Sequence, residues 1–158
     1  NDTTRNTISG AMKLFTENPD QRRALLGDMS LLPNAVDEVI RMVSPVIYMR
    51  RTATQDTEVG AQKIAVGEKV IMYYGAANRD PDRFADPSRF DLRRGSRQNL
   101  AFGRGAHVCI GRALAEMEGT MVLNAALDRW TSIEPVVAIW SDNSSIRGLK
   151  TLTLRLAP

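Results

Sequence analysis

The chain has 158 residues, 43% of them hydrophobic and 25% charged, with a formal net charge of +3. That length supports one domain with its own core, and no apolar run nears the roughly 18 residues that a membrane-spanning helix requires. The single cysteine excludes an intramolecular disulfide framework and favours a reducing, cytoplasmic setting, while scattered arginines offer nucleic acid no basic patch.

Ile8, Ala11, Met12 and Phe15 recur at helical spacing, and Asn18-Pro19 ends that helix. A short second helix follows, with Asn18 as its N-cap, Pro19 in its first turn and Gly27 just past its end. Pro33 starts a third helix, on which Val36, Val39, Ile40 and Val43 form an i, i+3, i+4, i+7 stripe, and Pro45 stops it.

From Tyr48 to Tyr74, alternating and β-branched segments broken by Gly60 and Gly67 predict two or three short strands in a small antiparallel sheet. Residues 75–108 hold many glycines and prolines and no sustained period, the mark of a functional or disordered stretch. Phe84, Phe90, Leu92, Leu100 and Phe102 argue for order there. A long apolar helix is expected from Ile110 to about Trp130, through Leu114, Met117, Met121, Val122 and Leu127. Two final strands, Val136 to Trp140 and Leu152 to Leu156, are expected to pair. The class is mainly α with a small antiparallel β-sheet, in one domain over 1–158.

Residues 102–111 read Phe-Gly-Arg-Gly-Ala-His-Val-Cys-Ile-Gly. A glycine-rich loop delivers Cys109 to a helix start, where the dipole and unpartnered amides favour thiolate over thiol. Gly105 and Gly111 leave room for backbone beside a flat ligand, and Phe102 is placed to pack against it or shield the sulfur. On the residues alone, Cys109 also reads as a buried small hydrophobe or as a nucleophile with His107 as its base. Zinc is a poorer reading, because one Cys and one His fall short of four ligands.

Glu38 and Arg41 sit three apart on the third helix and can touch. Opposite the apolar stripe, they read as a surface pair worth roughly 0–1 kcal/mol, with Asp37 an equally good partner for Arg41. Arg50 and Arg51 read as solvated strand residues. Asp2 and Thr3, ahead of an apolar period, read as a helix start.

The cysteine loop resembles the haem-binding signature F-x-x-G-x-[HR]-x-C-x-G of the cytochrome P-450 superfamily of haem-thiolate monooxygenases. Phe102, Gly105, His107, Cys109 and Gly111 fill every fixed position. Glu38-x-x-Arg41 resembles that family's E-x-x-R element, Phe90-Asp91-Leu92-Arg93-Arg94 its F-D-x-x-R element, and Asp2-Thr3-Thr4 the second half of [AG]-G-x-[DE]-T-[TS]. The resemblance implies the C-terminal half of the cytochrome P-450 fold, from the end of the distal helix to the proximal helix. Family members are more than twice as long, so the chain is read as the C-terminal part of a larger, soluble bacterial enzyme. Any targeting segment would then lie upstream.

The same resemblance implies haem b (iron protoporphyrin IX) ligated by Cys109, whose thiolate favours O–O cleavage. His107 and Arg51, in preference to Arg50, would pair the propionates. Arg94, with Arg89 as the fallback, would share the Glu38 carboxylate with Arg41 and pin the loop. Thr3 would hydrogen-bond the oxygen being activated while Asp2 relays protons. Val46, Ile47 and Met49, with Ser145 and Ile146 in the last turn, would line the pocket of a small lipophilic substrate. No flavin or dinucleotide fingerprint occurs, so a separate ferredoxin-type donor is implied, with Arg104 and Arg112 as its contacts. The expected activity is hydroxylation with dioxygen, without a nucleic-acid or membrane partner. The alternatives are a truncated, haem-binding or non-catalytic remnant that needs the missing N-terminal half, and a haem-thiolate peroxygenase or isomerase.

Overall fold

Helix α3 (Leu32–Val43) is the element against which the others are placed. The computed structural model describes residues 1–157. In chain order, α1 (Asp2–Glu17) and α2 (Pro19–Gly27) precede α3. Then come β1 (Tyr48–Thr52), β2 (Thr57–Val59), β3 (Gln62–Ile64), β4 (Lys69–Tyr73), α4 (Tyr74–Ala77), α5 (Arg112–Arg129), β5 (Ser132–Trp140) and β6 (Leu149–Ala157). The α3 stripe of Val36, Val39, Ile40 and Val43 is buried as its period predicts, against Ala11 and Phe15 of α1 and Leu123 and Leu127 of α5. Phe90 and Leu92 close this core from the irregular stretch, with Phe90 edge-to-face on Phe15 at 5.4 Å.

The ends of the helices differ in detail from the sequence reading. Asn18 does not cap α2 with its side chain; its Nδ2 donates to the Leu14 carbonyl of α1 at 2.8 Å. Gly27 is the last residue of α2, not the one beyond it. Ser44, in the left-handed region at φ 41°, turns the chain out of α3 one residue before Pro45, and its N–H still bonds the Ile40 carbonyl.

Among the described residues, the small antiparallel sheet expected over 48–74 is two two-stranded ones, β1·β4 and β2·β3, and the final strands pair antiparallel as expected, β5·β6. The stretch over 75–108 is ordered by α4 and by 3₁₀ turns at Ser96–Gln98 and Gly105–His107.

Helix α5 begins at Arg112, and of the apolar residues read along it Leu127 is buried while the others face outward. Gly119, Leu123, Ala126 and Leu127 face inward, while Leu114, Met117 and Met121 are each more than half exposed. The reason is steric: a Cβ on Gly119 would meet Val36 at 3.4 Å, so α5 approaches α3 along its small-residue side.

The α1–α3 crossing is tighter still. A Cβ built on Gly10 would lie 2.5 Å from Val43 Cγ2. Although alanine is the better helix former by about 1 kcal/mol, Gly10→Ala is expected to destabilise the full chain by about 1–2 kcal/mol net through overpacking. Urea denaturation measures it, and Val43→Ala, which removes the obstructing methyls, should erase most of the loss.

Candidate functional site

Glu38 and Arg41, which the helical period assigned to the surface, are both 0% exposed. The correction has a physical cause: α3 is covered on two faces, by helices on one and by residues 78–96 on the other. Arg41 grips Glu38 with two bonds, Nε to Oε2 at 2.7 Å and Nη2 to Oε1 at 2.8 Å. Its remaining donors reach the carbonyls of Asn78 (2.6 Å), Pro87 (2.8 Å) and Arg89 (3.2 Å). Glu38 also accepts from the Asp91 N–H at 3.0 Å, from Arg94 Nε at 3.2 Å and from the Ser96 hydroxyl. Arg94 in turn donates to the Ala85, Asp86 and Arg89 carbonyls. Arg94 is thus the second guanidinium on Glu38, and Arg89 supplies only its carbonyl. Asp37 pairs not with Arg41 but with Arg97, at 3.5 Å.

A run of hydrogen bonds leads from this pair to the cysteine loop. Asn78, wholly buried, donates to Ser44 Oγ at 2.8 Å and accepts from the Leu100 N–H at 2.6 Å. The Leu100 carbonyl accepts from the Gly103 N–H, and the Phe102 carbonyl from the Cys109 N–H, both at 2.9 Å. Gly103 and Gly105 both take φ 69°, which lets the loop double back. Gly111 is the residue that caps α5, so Cys109 sits three residues before that helix begins, with its carbonyl accepting from the Arg112 N–H at 3.2 Å. Its thiol is free and exposed, which removes the reading of Cys109 as a buried hydrophobe.

Cys109 lines a cavity of about 610 Å³. Of the residues singled out by sequence, Thr3, Val46, Arg51, Phe102, His107 and Cys109 meet in its wall, together with Met49. Asp2, Ile47, Gly105, Gly111, Ser145 and Ile146 do not. Asp2 lies outside, 3.6 Å from Arg5 and beside a separate polar cavity of about 300 Å³ that Ile146 also lines. Ser145 and Ile146 nonetheless hold the segment after α3. The Ile47 N–H donates to the Ser145 carbonyl at 3.0 Å, and Val46 bridges to Ile146.

Sequence reasoning missed Thr4, next to Thr3, and Thr7 and Ile8, one turn on, and also Ala115, Gly119 and Tyr74. Thr7 and Ile8 repeat at helical spacing after Thr3 and Thr4, a signal that was available. Tyr74 offers none, because only the fold brings it to the cysteine loop.

Among the described residues the cavity wall carries no carboxylate; its cations are Arg51 and the potential cation His107. Arg51 donates to the Arg50 carbonyl at 3.0 Å and has no acidic partner among the described residues. Gly103, Ala106, Ala115 and Gly119 keep the wall shallow, and Ile8, Ile40 and Val46 make it apolar. A soft sulfur, a flat apolar space and basic groups without counter-ions fit a planar, metal-bearing ligand with acidic side groups.

A second cavity of about 650 Å³, which Cys109 also lines, is bounded by Asp37, Arg97, Arg112 and Glu116. Arg112 bonds Glu116 at 2.7 Å and lies 5.5 Å over the Phe102 ring, so it is committed within the chain. Arg104 remains exposed, bonded to the Gln98 carbonyl at 3.3 Å. Burial, reinforced by the Glu116 charge, pushes the Asp37 carboxyl above its ordinary range, against the pull of Arg97 and Arg112.

A family model described as Cytochrome P450 matches residues 2–149. Linalool 8-monooxygenase of Pseudomonas putida is 42% identical over 159 residues, which is 100% of this chain and 39% of that protein. A methyl-branched lipid omega-hydroxylase of Mycobacterium bovis is 42% identical, over 96% of this chain and 36% of its own. Among solved structures, Cytochrome P450-153 from Novosphingobium aromaticivorans superposes with a TM-score of 0.96 at 41% identity, covering 99% of this chain and 40% of that one. The chain therefore spans about two fifths of the length of the relatives it matches.

Two outcomes follow from the charges. Glu38→Gln leaves two buried guanidiniums without their anion and is expected to cost the full chain about 3–5 kcal/mol in urea denaturation. Asp37→Asn has the opposite sign. Because folding raises the Asp37 pKa, the wild-type fold loses stability as pH rises from about 4 through the raised value. The variant is expected to melt higher than wild type at pH 8 and equally at pH 4.

Proposed function

The chain belongs to the cytochrome P450 family, and from that premise we propose that it forms the haem-binding face of a monooxygenase that hydroxylates a small lipophilic substrate. The observation that carries the reading is the meeting of the Cys109 thiol, the Thr3 hydroxyl and the unpaired bases Arg51 and His107 around one apolar cavity without a carboxylate. When bound, haem b supplies the activation of dioxygen and the transfer of one oxygen atom to a C–H bond.

The residues divide that work. Cys109 offers its sulfur as the iron ligand, with its backbone fixed to Phe102 and its thiolate open to the cavity. Arg51 and His107 neutralise the propionates, whose burial would otherwise be costly. Thr3 presents a neutral group that both donates and accepts a proton inside the cavity. Asp2, one residue earlier and largely exposed beside Arg5, takes protons from solvent and passes them inward. Ile8, Ile40, Val46 and Met49 exclude water and receive the apolar substrate. Support for that substrate class comes from relatives named for linalool and for a methyl-branched lipid. Electrons come from a separate, acidic ferredoxin-type donor that meets the exposed Arg104, in a reducing cytoplasm that keeps Cys109 free.

One observation favours a second reading, a haem-binding unit that is inactive without further residues. Leu114, Met117 and Met121 leave an apolar face of α5 uncovered in a chain that spans two fifths of its relatives.

A reduced, carbon-monoxide difference spectrum of the haem-loaded full chain tests the assignment. Thiolate ligation gives a strongly red-shifted Soret band, and Cys109→Ala is expected to abolish it. A thiolate-type band that survives the substitution would refute the role of Cys109. A thiolate band without substrate hydroxylation selects the second reading.

A further inference from the structure

Tyr74 is a polar side chain of the cavity that neither the signature nor the proposed chemistry uses, and unlike Thr7, whose hydroxyl donates to the Thr3 carbonyl, it is not spent on its own helix. It opens α4 directly after β4, and both of its backbone groups are held. Its N–H donates to the Ile47 carbonyl and its carbonyl accepts from the Asn78 N–H, at 3.0 and 2.9 Å. The backbone is therefore fixed between the segment after α3 and the buried Asn78.

The phenol that this backbone carries lies against the cysteine loop. A Cβ built on Gly103 would fall 3.4 Å from Tyr74 Oη and 3.5 Å from the His107 carbonyl oxygen. Those are contact distances, and it is the φ of 69° at Gly103 that favours glycine there. Among the described residues the Tyr74 hydroxyl has no hydrogen-bond partner, although the side chain is half-buried and lines the cavity with Arg51 and His107. A phenol carried into an apolar space ordinarily finds an acceptor. The cavity wall offers no carboxylate to serve as one.

Arg51 reaches the same space from the strand hydrogen-bonded to β4, where it stands opposite Val70. Two basic side chains and one phenol thus come from three separate elements, and among the described residues none of the three has an acidic partner.

We propose that the Tyr74 hydroxyl is a third donor, beside Arg51 and His107, to the carboxylates of the haem that occupies this cavity. The proposal rests on the reading of the cavity as a haem site. Tyr74 does not react; it is a positioning residue that fixes the acidic edge of the cofactor with a hydroxyl donor.

The test uses the haem-loaded full chain and Tyr74→Phe, which keeps the ring and removes only the hydroxyl. Haem transfer to excess apomyoglobin is expected to be roughly tenfold faster in the variant, as suits the loss of one hydrogen bond to a charged group. Loading both proteins with haem dimethyl ester, which lacks the carboxylates, should abolish that difference. A loss rate within about twofold of wild type overturns the proposal. So does an acceleration that persists with the ester, because that would mark a packing role. A variant that keeps haem normally but binds a lipophilic substrate more weakly would assign the phenol to the substrate instead, and overturns it equally. If wild type takes up no haem, the haem-site reading fails and the proposal fails with it. A wild type that holds haem beside an unchanged variant sinks this proposal alone.

Discussion

One carboxylate without water around it organises this chain. Glu38 is fully buried and shared by two arginines, a backbone N–H and a serine hydroxyl. A buried ion pair is weak evidence of stability, since desolvation offsets much of the attraction. Its consequence here is geometric. Residues 78–96 form almost no regular structure, so their carbonyls lack the partners that a helix or strand would supply. Arg41 and Arg94 supply them, binding the carbonyls of Asn78, Ala85, Asp86, Pro87 and Arg89. Two guanidiniums with fixed, planar sets of donors replace secondary structure, and the loop has one arrangement that satisfies them.

The cysteine depends on this arrangement at one remove. Asn78 gives its carbonyl to Arg41 and its side-chain oxygen to the Leu100 N–H, so the entry to the cysteine loop is tied to the buried pair. From there the loop closes on itself through Leu100–Gly103, Phe102–Cys109 and Gly105–Val108 bonds. An exposed sulfur thus rests on a backbone fixed from below. Charge is segregated around it as well. Carboxylates occupy the interior of α3, the second cavity that Cys109 borders and the outer side of α1, while among the described residues the apolar cavity has only basic charged side chains.

Local signals in the sequence were reliable where one packed face or one short loop decided the outcome. The α3 stripe, the β5·β6 pairing and the cysteine loop belong to that class. The bare period misplaced Glu38 and Arg41 because it detects the more apolar face of a helix, and α3 is packed on both. The apolar set read along α5 is buried only in part for a related reason. Leu114, Met117 and Met121 outweigh Gly119 and Ala126 in hydrophobicity, yet close approach to Val36 selects the smaller residues. The motif spacing identified Arg94 because it fixes order along the chain, whereas hydrophobic period carries no information about a loop 56 residues away. Tyr74 was illegible because its partner surface, Gly103, is contributed by another part of the chain.

The placing of rigidity also bears on ligand affinity. Binding a large planar ligand costs least when the groups that hold it are ordered beforehand. Arg51 sits on a strand with a five-residue register, and Cys109 on a loop closed by its own hydrogen bonds. Thr3 rides on the first turn of a helix clamped to α3 by the Gly10–Val43 contact. The backbone of each is set by contacts outside the cavity, so little of the chain remains to be ordered by an occupant. The small residues of the wall follow from the same logic. Ala106, Ala115 and Gly119 have no side-chain rotamers to lose, and they leave a surface that a flat ligand can cover without rearrangement.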